Sequence, residues 1–309
     1  MNVSSAAPRV GLALGSGASR GWSHIGVLKA LLKDGIEPAV ICGTSVGAMV
    51  GASYLAGNLD KLEDWVLGSS RADVLRFFSF RLANSAFVDP ERLNWFLHTF
   101  VAAEDVRIET LKKPYAAVCT DLHAGKEVLL REGGLARAVR ASMAMPGLFP
   151  AERDEQRWLV DGGLVNPVPV SACRKLGADV VIGVNLNADI LSRQRVSDRT
   201  ASESDVDNIR GQLRKRASKY SNSFFQNEVE TDSAPGVFDA ISLTINIFQD
   251  QITRGRLEAD PADVLIAPKV GDIGMFDFQR AADAIIEGED CVQSAMADIR
   301  RQIALAETR

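Results

Sequence analysis

Short apolar runs and amphipathic stretches alternate along the first third of the chain. The runs at Val10–Leu14 and Ala39–Cys42 each lead into a turn that contains glycine, and apolar residues recur at helical spacing between Trp22 and Leu32. Uniformly apolar runs are typical of strands buried on both faces, and 3.6-residue spacing is typical of a helix packed against them. Two strands joined through a helix form a βαβ unit with parallel strands. The pattern therefore predicts a three-layer α/β/α fold with a mostly parallel central sheet.

The same two signals continue through the rest of the chain. Further strands are predicted at Tyr115–Thr120, Glu127–Leu130, Trp158–Val160, Asp179–Leu186 and Val264–Ala267. Further helices are predicted at Val46–Ala56, Leu135–Ser142, Val168–Leu176 and Phe278–Leu305. The region from 60 to 108 is predicted to be mostly helical. Because strand-forming sequence resumes after a charged segment at 192–232, we predict a single domain over residues 1–309, with its core at about 9–190 and 236–305.

Composition and charge narrow the classes of function. The 309 residues carry 35 basic and 40 acidic side chains, and the net charge of −5 provides no overall basic field for nucleic acid. A mean hydropathy of +0.00 argues against several membrane spans and against a disordered chain. The first 21 residues lack the basic start and the continuous apolar stretch of a signal peptide, so a cytoplasmic location is predicted.

The cysteines give no sign of a cross-linked or metal-bound structure. There are four, Cys42, Cys119, Cys173 and Cys291, and none belongs to a CxxC pair. This spacing argues against a disulfide framework and against a structural zinc site. We therefore predict reduced thiols in the core of the protein.

The segment 192–232 is polar, highly charged and without a strand pattern, and we interpret it as a helical or mobile insertion. Within it, apolar residues recur at helical spacing from Val206 to Phe224, beside basic residues that include Arg214, Lys215 and Arg216. A basic amphipathic helix can lie peripherally on an anionic membrane surface. A helix whose charges simply complement its own dipole gives the same pattern. Both interpretations stay open.

A second apolar stripe follows the insertion. Its members, at helical spacing, are Val237, Ile241, Ile245, Phe248 and Ile252. Such a stripe is typical of a helix that packs on the core or against another subunit, and a lid over a site is the alternative. We predict a core or subunit-contact helix here, and an oligomer is compatible with it.

The first candidate for chemistry is Gly43-Thr44-Ser45-Val46-Gly47, a G-x-S-x-G sequence at a predicted strand-to-helix junction. A nucleophilic serine on such an elbow has strained backbone geometry, and small residues two positions away on either side let strand and helix approach. The N-terminus of the following helix adds positive partial charge near a developing oxyanion. A glycine-rich turn with an incidental serine is the alternative, but the strand–turn–helix context favours a nucleophile.

The second candidate is the turn Gly15-Ser16-Gly17-Ala18-Ser19-Arg20-Gly21, which also joins a predicted strand to a helix. Its successive backbone amides can hold a phosphate or an oxyanion. A dinucleotide site is the alternative, but the spacing is G-x-G-x-x-x-G and no acidic residue ends the second strand to bind a ribose. A P-loop is excluded because no Gly-Lys-Ser/Thr is present. Arg20 has two interpretations, support of the loop and attraction of a phosphate head group.

The third candidate is Asp161-Gly162-Gly163, a carboxylate where a predicted strand runs into a flexible turn. Alone, an Asp-Gly pair indicates only a turn. The three histidines, His24, His98 and His123, all precede Asp161, so the Ser–Asp–His order of an α/β-hydrolase triad is absent. A base for Ser45 is therefore predicted to be a carboxylate, in surroundings apolar enough to raise its pKa.

In order and context, the three motifs resemble those of the patatin-like phospholipases. The resemblance is strongest to the bacterial RssA-like, NTE-related subgroup and extends along most of the chain. Blocks that carry it include GTSVGAMVGASY, AVCTDL, AVRASMAMPGLF and WLVDGGLVNPVPV. The charged segment 192–232 is the least covered part.

This resemblance implies a patatin-like fold and a serine hydrolase that acts on acyl esters of lipids through a Ser–Asp dyad, without histidine, metal or cofactor. Carried over by position, it makes Ser45 the nucleophile and Asp161 the proton acceptor. Gly43 and Gly47 then belong to the elbow, and Gly162 and Gly163 to the turn after the aspartate. The oxyanion hole is assigned to the amides around Ser16, Gly17 and Ala18, at the place of the family's usual triple glycine. Arg20 and Gly21 follow them, and Gly15 lies outside.

The predicted function is hydrolysis of a phospholipid, lysophospholipid or related lipid ester. Two alternatives stay open. One is a catalytically silent scaffold with a regulatory or binding role, against which the intact Ser45 and Asp161 argue. The other is a nucleotide-binding α/β protein that uses the glycine-rich turn at 15–21.

Overall fold

A computed structural model describes residues 7–69, 90–189 and 237–308 of the chain. Its centre is one eight-stranded sheet. The strands are β1 Val10–Leu14, β2 Val40–Thr44, β3 Tyr115–Asp121, β4 Lys126–Leu130, β5 Glu152–Asp154, β6 Arg157–Asp161, β7 Val180–Val184 and β8 Val264–Ile266. All predicted strands are present, with ends that differ by at most two residues from those predicted.

The sheet is mixed and largely parallel. Its strand order is β5-β6-β3-β2-β1-β7-β8, and β4 pairs with β3 beside this path. All pairs among β1, β2, β3, β7 and β8 are parallel, whereas β4, β5 and β6 pair antiparallel. The predicted mostly parallel sheet is therefore confirmed. The polar edge strand β5 was not predicted, because three polar residues show no apolar alternation.

Helices cover both faces of the sheet. They are α1 Ser23–Lys33, α2 Val46–Leu55, α3 Leu59–Gly68, α4 Pro90–Phe100, α5 Leu135–Ser142, α6 Val170–Lys175, α7 Val237–Ala259 and α8 Ala281–Glu307. Short 3-10 helices lie at Ala18–Trp22, Ile108–Thr110, Gly162–Leu164 and Phe278–Arg280. Within the described ranges, no helix has both the length and the apolar character needed to cross a membrane. The charged segment 192–232 lies outside the described residues.

The alternation of side chains along β1 separates two buried layers. Leu12 and Leu14 pack in the large apolar cluster that also includes residues of α1, α2 and α8. Ala13 faces the other way, into a smaller cluster with Cys173 of α6 and Leu257 of α7. Successive strand residues point to opposite faces, so a wholly apolar strand requires cover on both. The predicted three-layer α/β/α architecture is confirmed.

The contact between α1 and α8 positions the first glycine-rich turn, since α1 follows that turn directly. The two helices touch through backbone at two glycines. A Cβ added to Gly26 would lie 2.0 Å from the carbonyl oxygen of Ile285, and one added to Gly288 would lie 2.1 Å from that of Ser23. Only the absence of a side chain at both positions allows this crossing.

We expect Gly26→Ala to lower the free energy of unfolding by about 1–3 kcal/mol, because the added methyl group must push two helix backbones apart. The matched control is Gly255→Ala on α7, where an added Cβ meets no atom within 4 Å. Alanine in that helix should be neutral or stabilising by up to about 1 kcal/mol. Urea unfolding followed by circular dichroism measures both, and equal midpoints for the two variants would contradict this packing.

Candidate active site

Two strands meet end to end along one edge of β3. The last residue of β2, Thr44, pairs with Val118 in parallel, and the last residue of β6, Asp161, pairs with Cys119 in antiparallel orientation. β4 pairs with β3 at both of these positions. A strand has only two edges, so β2 and β6 must share the other edge and converge on it. This topology brings Ser45, the residue after β2, to the end of β6.

Ser45 occupies a strained turn between β2 and α2. Its backbone angles are φ 57° and ψ −122°, a conformation that non-glycine residues rarely adopt. Its hydroxyl donates a hydrogen bond of 2.6 Å to Asp161 Oδ2. Its backbone N–H donates to Ser142 Oγ at 2.9 Å. This turn holds the serine hydroxyl against the carboxylate.

The two flanking glycines of the elbow are required by close packing. A Cβ on Gly47 would lie 2.2 Å from the carbonyl oxygen of Leu14, and one on Gly43 would lie 2.4 Å from the backbone of Ala48. Both distances are far below van der Waals contact. Strand and helix can therefore approach closely enough to form the turn only with glycine at these positions.

Asp161 is completely buried. Besides the bond from Ser45, its Oδ1 accepts one of 2.7 Å from the N–H of Gly163, and its backbone carbonyl accepts one of 2.8 Å from Thr120 Oγ1. Burial raises the pKa of Asp161 to about 6, and the hydrogen bonds from Ser45 and Gly163 counteract part of this rise. A carboxyl group in this range is a better proton acceptor than one at its usual value of 3.8.

The two glycines after Asp161 leave room for different neighbours. A Cβ on Gly162 would lie 2.2 Å from the carbonyl oxygen of Val118 on β3. One on Gly163 would lie 2.4 Å from Gln249 Nε2, an atom of α7. The Asp-Gly-Gly turn is therefore packed between the central sheet and α7, which a simple exposed turn would not be.

The glycine-rich turn after β1 presents two amides that no described residue engages. The N–H of Gly15 donates to the carbonyl of Val184 at 3.1 Å, and that of Ser16 donates to the carbonyl of Pro167 at 2.9 Å. Within the described part of the chain, the amides of Gly17 and Ala18 have no hydrogen-bond partner. Both residues line the cavity that contains Ser45. Of the three amides predicted for an oxyanion hole, the Ser16 amide is thus engaged elsewhere.

Arg20 supports this turn from a buried position. It is 2% exposed, and burial lowers its pKa to about 10, so it remains a cation at neutral pH. Its Nε donates to the carbonyl oxygen of Gly17 at 3.1 Å, and Nη2 donates to Asn246 Oδ1 at 2.9 Å. In a trans peptide the carbonyl and the following N–H point in opposite directions. Fixing the Gly17 carbonyl therefore directs the Ala18 N–H away from Arg20.

No histidine takes part in the pair of Ser45 and Asp161. His24 is buried, its Nε2 lies 2.8 Å from the carbonyl oxygen of Gly15, and burial lowers its pKa to about 4. It is therefore a neutral donor that supports the backbone of the glycine-rich turn. His98 and His123 are exposed. In the described ranges no group of three or more histidine, cysteine, aspartate or glutamate side chains could hold a metal ion.

An apolar cavity opens onto Ser45. Most of its lining is aliphatic, aromatic or thioether, and it includes Trp22, Met49, Leu93, Phe96, Phe149 and Met275. Its polar lining is the pair of Ser45 and Asp161, the turn with Ser16 and Arg20, Ser69, and Gln249. A cavity of this composition has room for a hydrocarbon chain next to a few polar groups.

Two residues at the site were not predicted from the sequence. Ser142, the last residue of α5, accepts from the Ser45 N–H and donates to the carbonyl of Val118 at 2.6 Å. Gln249 is 3% exposed, whereas the adjacent Phe248 is 58% exposed. Phe248 therefore does not lie in the core of the described chain, because α7 turns Gln249 toward the site instead, and the subunit-contact interpretation of this stripe stays a prediction. No local pattern distinguishes a lone serine or glutamine of this kind.

Comparisons with known proteins relate the chain to one family. A model of the patatin-like phospholipase family matches residues 12–174, a range that contains both Ser45 and Asp161. An NTE family protein of Mycobacterium tuberculosis is 32% identical over 336 residues, 94% of this chain and 92% of that protein. Human patatin-like phospholipase domain-containing protein 6 is 33% identical over 187 residues, 58% of this chain and 13% of that protein. The solved structure of VipD from Legionella pneumophila covers 98% of this chain and 80% of its own, with 15% identity and a TM-score of 0.39.

The buried carboxyl of Asp161 should make stability depend on pH. With a pKa of about 6 in the folded protein against 3.8 when unfolded, the group binds more protons in the folded state between these values. Its contribution to the free energy of unfolding therefore falls as pH rises from about 4 to 6, by roughly 3 kcal/mol in all. The Asp161→Asn variant has no titrating carboxyl group at this position, so its free energy of unfolding should not show this decrease.

Urea unfolding of both proteins between pH 4 and 7.5 measures the effect. The difference in unfolding free energy, wild type minus Asp161→Asn, should fall across this range. Parallel curves would show that the pKa of Asp161 is not raised by burial.

Proposed function

The chain belongs to the patatin-like phospholipase family, and on that premise we propose that it hydrolyses acyl esters of lipids with Ser45 as nucleophile and Asp161 as its base. Family membership supports a lipid hydrolase activity in general. The observation that carries the specific proposal is the 2.6 Å hydrogen bond from the Ser45 hydroxyl to a completely buried carboxylate. A hydroxyl held on a base in this way, at the mouth of an apolar cavity, has the arrangement of an activated nucleophile.

In the first half-reaction, Ser45 Oγ attacks the ester carbonyl carbon as its proton moves to Asp161 Oδ2. The carbonyl oxygen becomes an oxyanion and accepts hydrogen bonds from the free amides of Gly17 and Ala18. The N-terminus of α2, which begins directly after Ser45, adds positive partial charge. The tetrahedral intermediate then expels the alcohol, which takes the proton from Asp161 and leaves an acyl ester on Ser45.

In the second half-reaction, water takes the place of the alcohol. Asp161 accepts a proton from the water as its oxygen attacks the acyl carbon, and the same amides stabilise the second oxyanion. Collapse releases the fatty acid and returns the proton from Asp161 to Ser45 Oγ. Each proton that Asp161 takes is given back within the same half-reaction, so a single carboxyl group suffices.

The apolar cavity supports a long acyl chain as the part of the substrate that it binds. Met49, Leu93, Phe96 and Phe149 line it without a charged side chain among them. Each buried methylene contributes about 0.8 kcal/mol. A lipid or lysophospholipid ester therefore fits better than a short polar ester, which would leave this surface unfilled.

Ser45→Ala should abolish ester hydrolysis, with a loss on the order of 10⁴-fold in kcat, because no other group can form the acyl intermediate. Hydrolysis of lysophospholipids and of short p-nitrophenyl esters measures the loss, and circular dichroism confirms the fold. The matched control is Ser69→Ala, which removes a hydroxyl that lines the same cavity but hydrogen-bonds to the carbonyl of Trp65. An alanine variant at Ser45 with half the wild-type rate would end the proposal.

The pH dependence of kcat/KM should report Asp161 alone. For a short soluble ester, kcat/KM should rise with pH in one step, with its midpoint near pH 6. The reason is that only the ionised carboxylate can accept the serine proton. This step is the acid limb of the profile. His24→Gln, His98→Gln and His123→Gln should keep this limb and stay within about tenfold of the wild-type rate. A histidine variant that loses the limb, or is as inactive as Ser45→Ala, would show that the base is misassigned.

A further inference from the structure

The described part of α7 turns polar side chains inward. Gln249, Asp250 and Thr253 are each at most 3% exposed, whereas Phe248 is 58% exposed. Burying a polar side chain costs free energy unless its hydrogen bonds are made. The partners of Gln249 therefore indicate what this helix does at the site. Gln249 lies outside the range 12–174 that the family model matches.

One end of the Gln249 amide is fully engaged. Its Oε1 accepts a hydrogen bond of 3.1 Å from Ser16 Oγ and another of 3.0 Å from Asn187 Nδ2. These donors follow β1 and β7, two neighbouring strands of the sheet. Because a carbonyl oxygen has two lone pairs, both acceptor positions are used. The NH2 end must then face the opposite direction.

The other end of the amide lies against the Asp161 turn. A Cβ added to Gly163 would lie 2.4 Å from Gln249 Nε2 and 3.0 Å from Asp161 Oδ1, so both atoms border the same glycine. No partner for Nε2 is present among the described residues. A donor beside this carboxylate is electrostatically favourable and an acceptor there is not, which supports the same orientation of the amide. Gln249 thus presents an unpartnered N–H donor beside the proposed base.

The proposed mechanism places this donor on the alcohol side of a bound ester. The amides of Gly17 and Ala18 are assigned to the acyl carbonyl oxygen, and Asp161 must return its proton to the alcohol oxygen. The alcohol portion therefore lies toward Asp161, and the turn after Asp161 is the part of the site that Gln249 Nε2 borders. An oxygen on a neighbouring carbon of that alcohol can accept from it.

Resting on the proposed function, we propose that Gln249 determines specificity for the alcohol portion of the substrate. Its Nε2 donates a hydrogen bond to an oxygen next to the scissile ester, so esters of polyols are preferred over esters of simple alcohols. A site built to donate to a substrate oxygen discriminates against the analogue that lacks this oxygen. The acyl chain, held in the apolar cavity, is recognised independently.

The test compares two esters of the same fatty acid, the 1-monoacylglycerol and the propyl ester, by their kcat/KM values. Gln249→Met keeps the size of the side chain and removes the donor. It should lower the ratio of glycerol ester to propyl ester about fivefold, the effect of one neutral hydrogen bond. Ser16→Ala is the matched control, because it removes a bond to Oε1 and leaves Nε2 in place. It should change both esters equally.

A second measurement needs no variant. With the wild-type protein, the monoester of 1,2-propanediol should exceed the propyl ester about fivefold in kcat/KM, after each value is divided by the rate of alkaline hydrolysis of the same ester. Equal normalised values would overturn the proposal, even if Gln249→Met fails to fold.

The remaining outcomes separate this role from the proposed function. If the wild type hydrolyses both esters and Gln249→Met lowers both equally, Gln249 only positions the glycine-rich turn or the attacking water, and the specificity role is overturned. If Gln249→Met leaves the ratio and the rates unchanged, Gln249 has no contact with substrate. If the wild type hydrolyses neither ester and a fluorophosphonate does not label Ser45, the proposed function itself fails.

Discussion

The hydrogen bond between Ser45 and Asp161 depends on a single feature of the sheet, the convergence of β2 and β6 on one edge of β3. Each strand ends where the other does, so both side chains are held by strand backbone. Because that edge lies inside the protein, the carboxylate is buried and its pKa is raised. The position of Asp161 next to Ser45 and its raised pKa thus have the same structural origin.

The backbone of the turns around this pair is strained. Ser45 has a positive φ, and Ala18 has one of 49°, both unusual for residues with a side chain. Hydrogen bonds hold the two turns in these conformations. Ser142 accepts from the N–H of Ser45, and Arg20 donates to the carbonyl oxygen of Gly17. Among the described residues, no carboxylate pairs with the buried Arg20, and its side chain instead donates to the Gly17 carbonyl and to Asn246.

The sequence predicts those parts of the site that follow from local pattern. Apolar runs and helical spacing locate the strands, and the turns after them locate Ser45 and Asp161, because strand ends are where reactive side chains collect. The engagement of the Ser16 amide could not be predicted, since it depends on the carbonyl of Pro167, which is distant along the chain. The inward polar face of α7 could not be predicted for a related reason. Its partners lie on other elements, and an apolar stripe alone does not reveal which face of a helix is covered.

The claim that Ser45 is the nucleophile of a dyad with Asp161 is tested most directly by the site of covalent modification. Wild-type protein is treated with a long-chain alkyl fluorophosphonate, digested and mapped by mass spectrometry. We expect one stoichiometric adduct, on the peptide that contains Ser45, formed faster at pH 8 than at pH 5 because ionised Asp161 is required. An adduct on another residue, or none on a correctly folded protein, would contradict it.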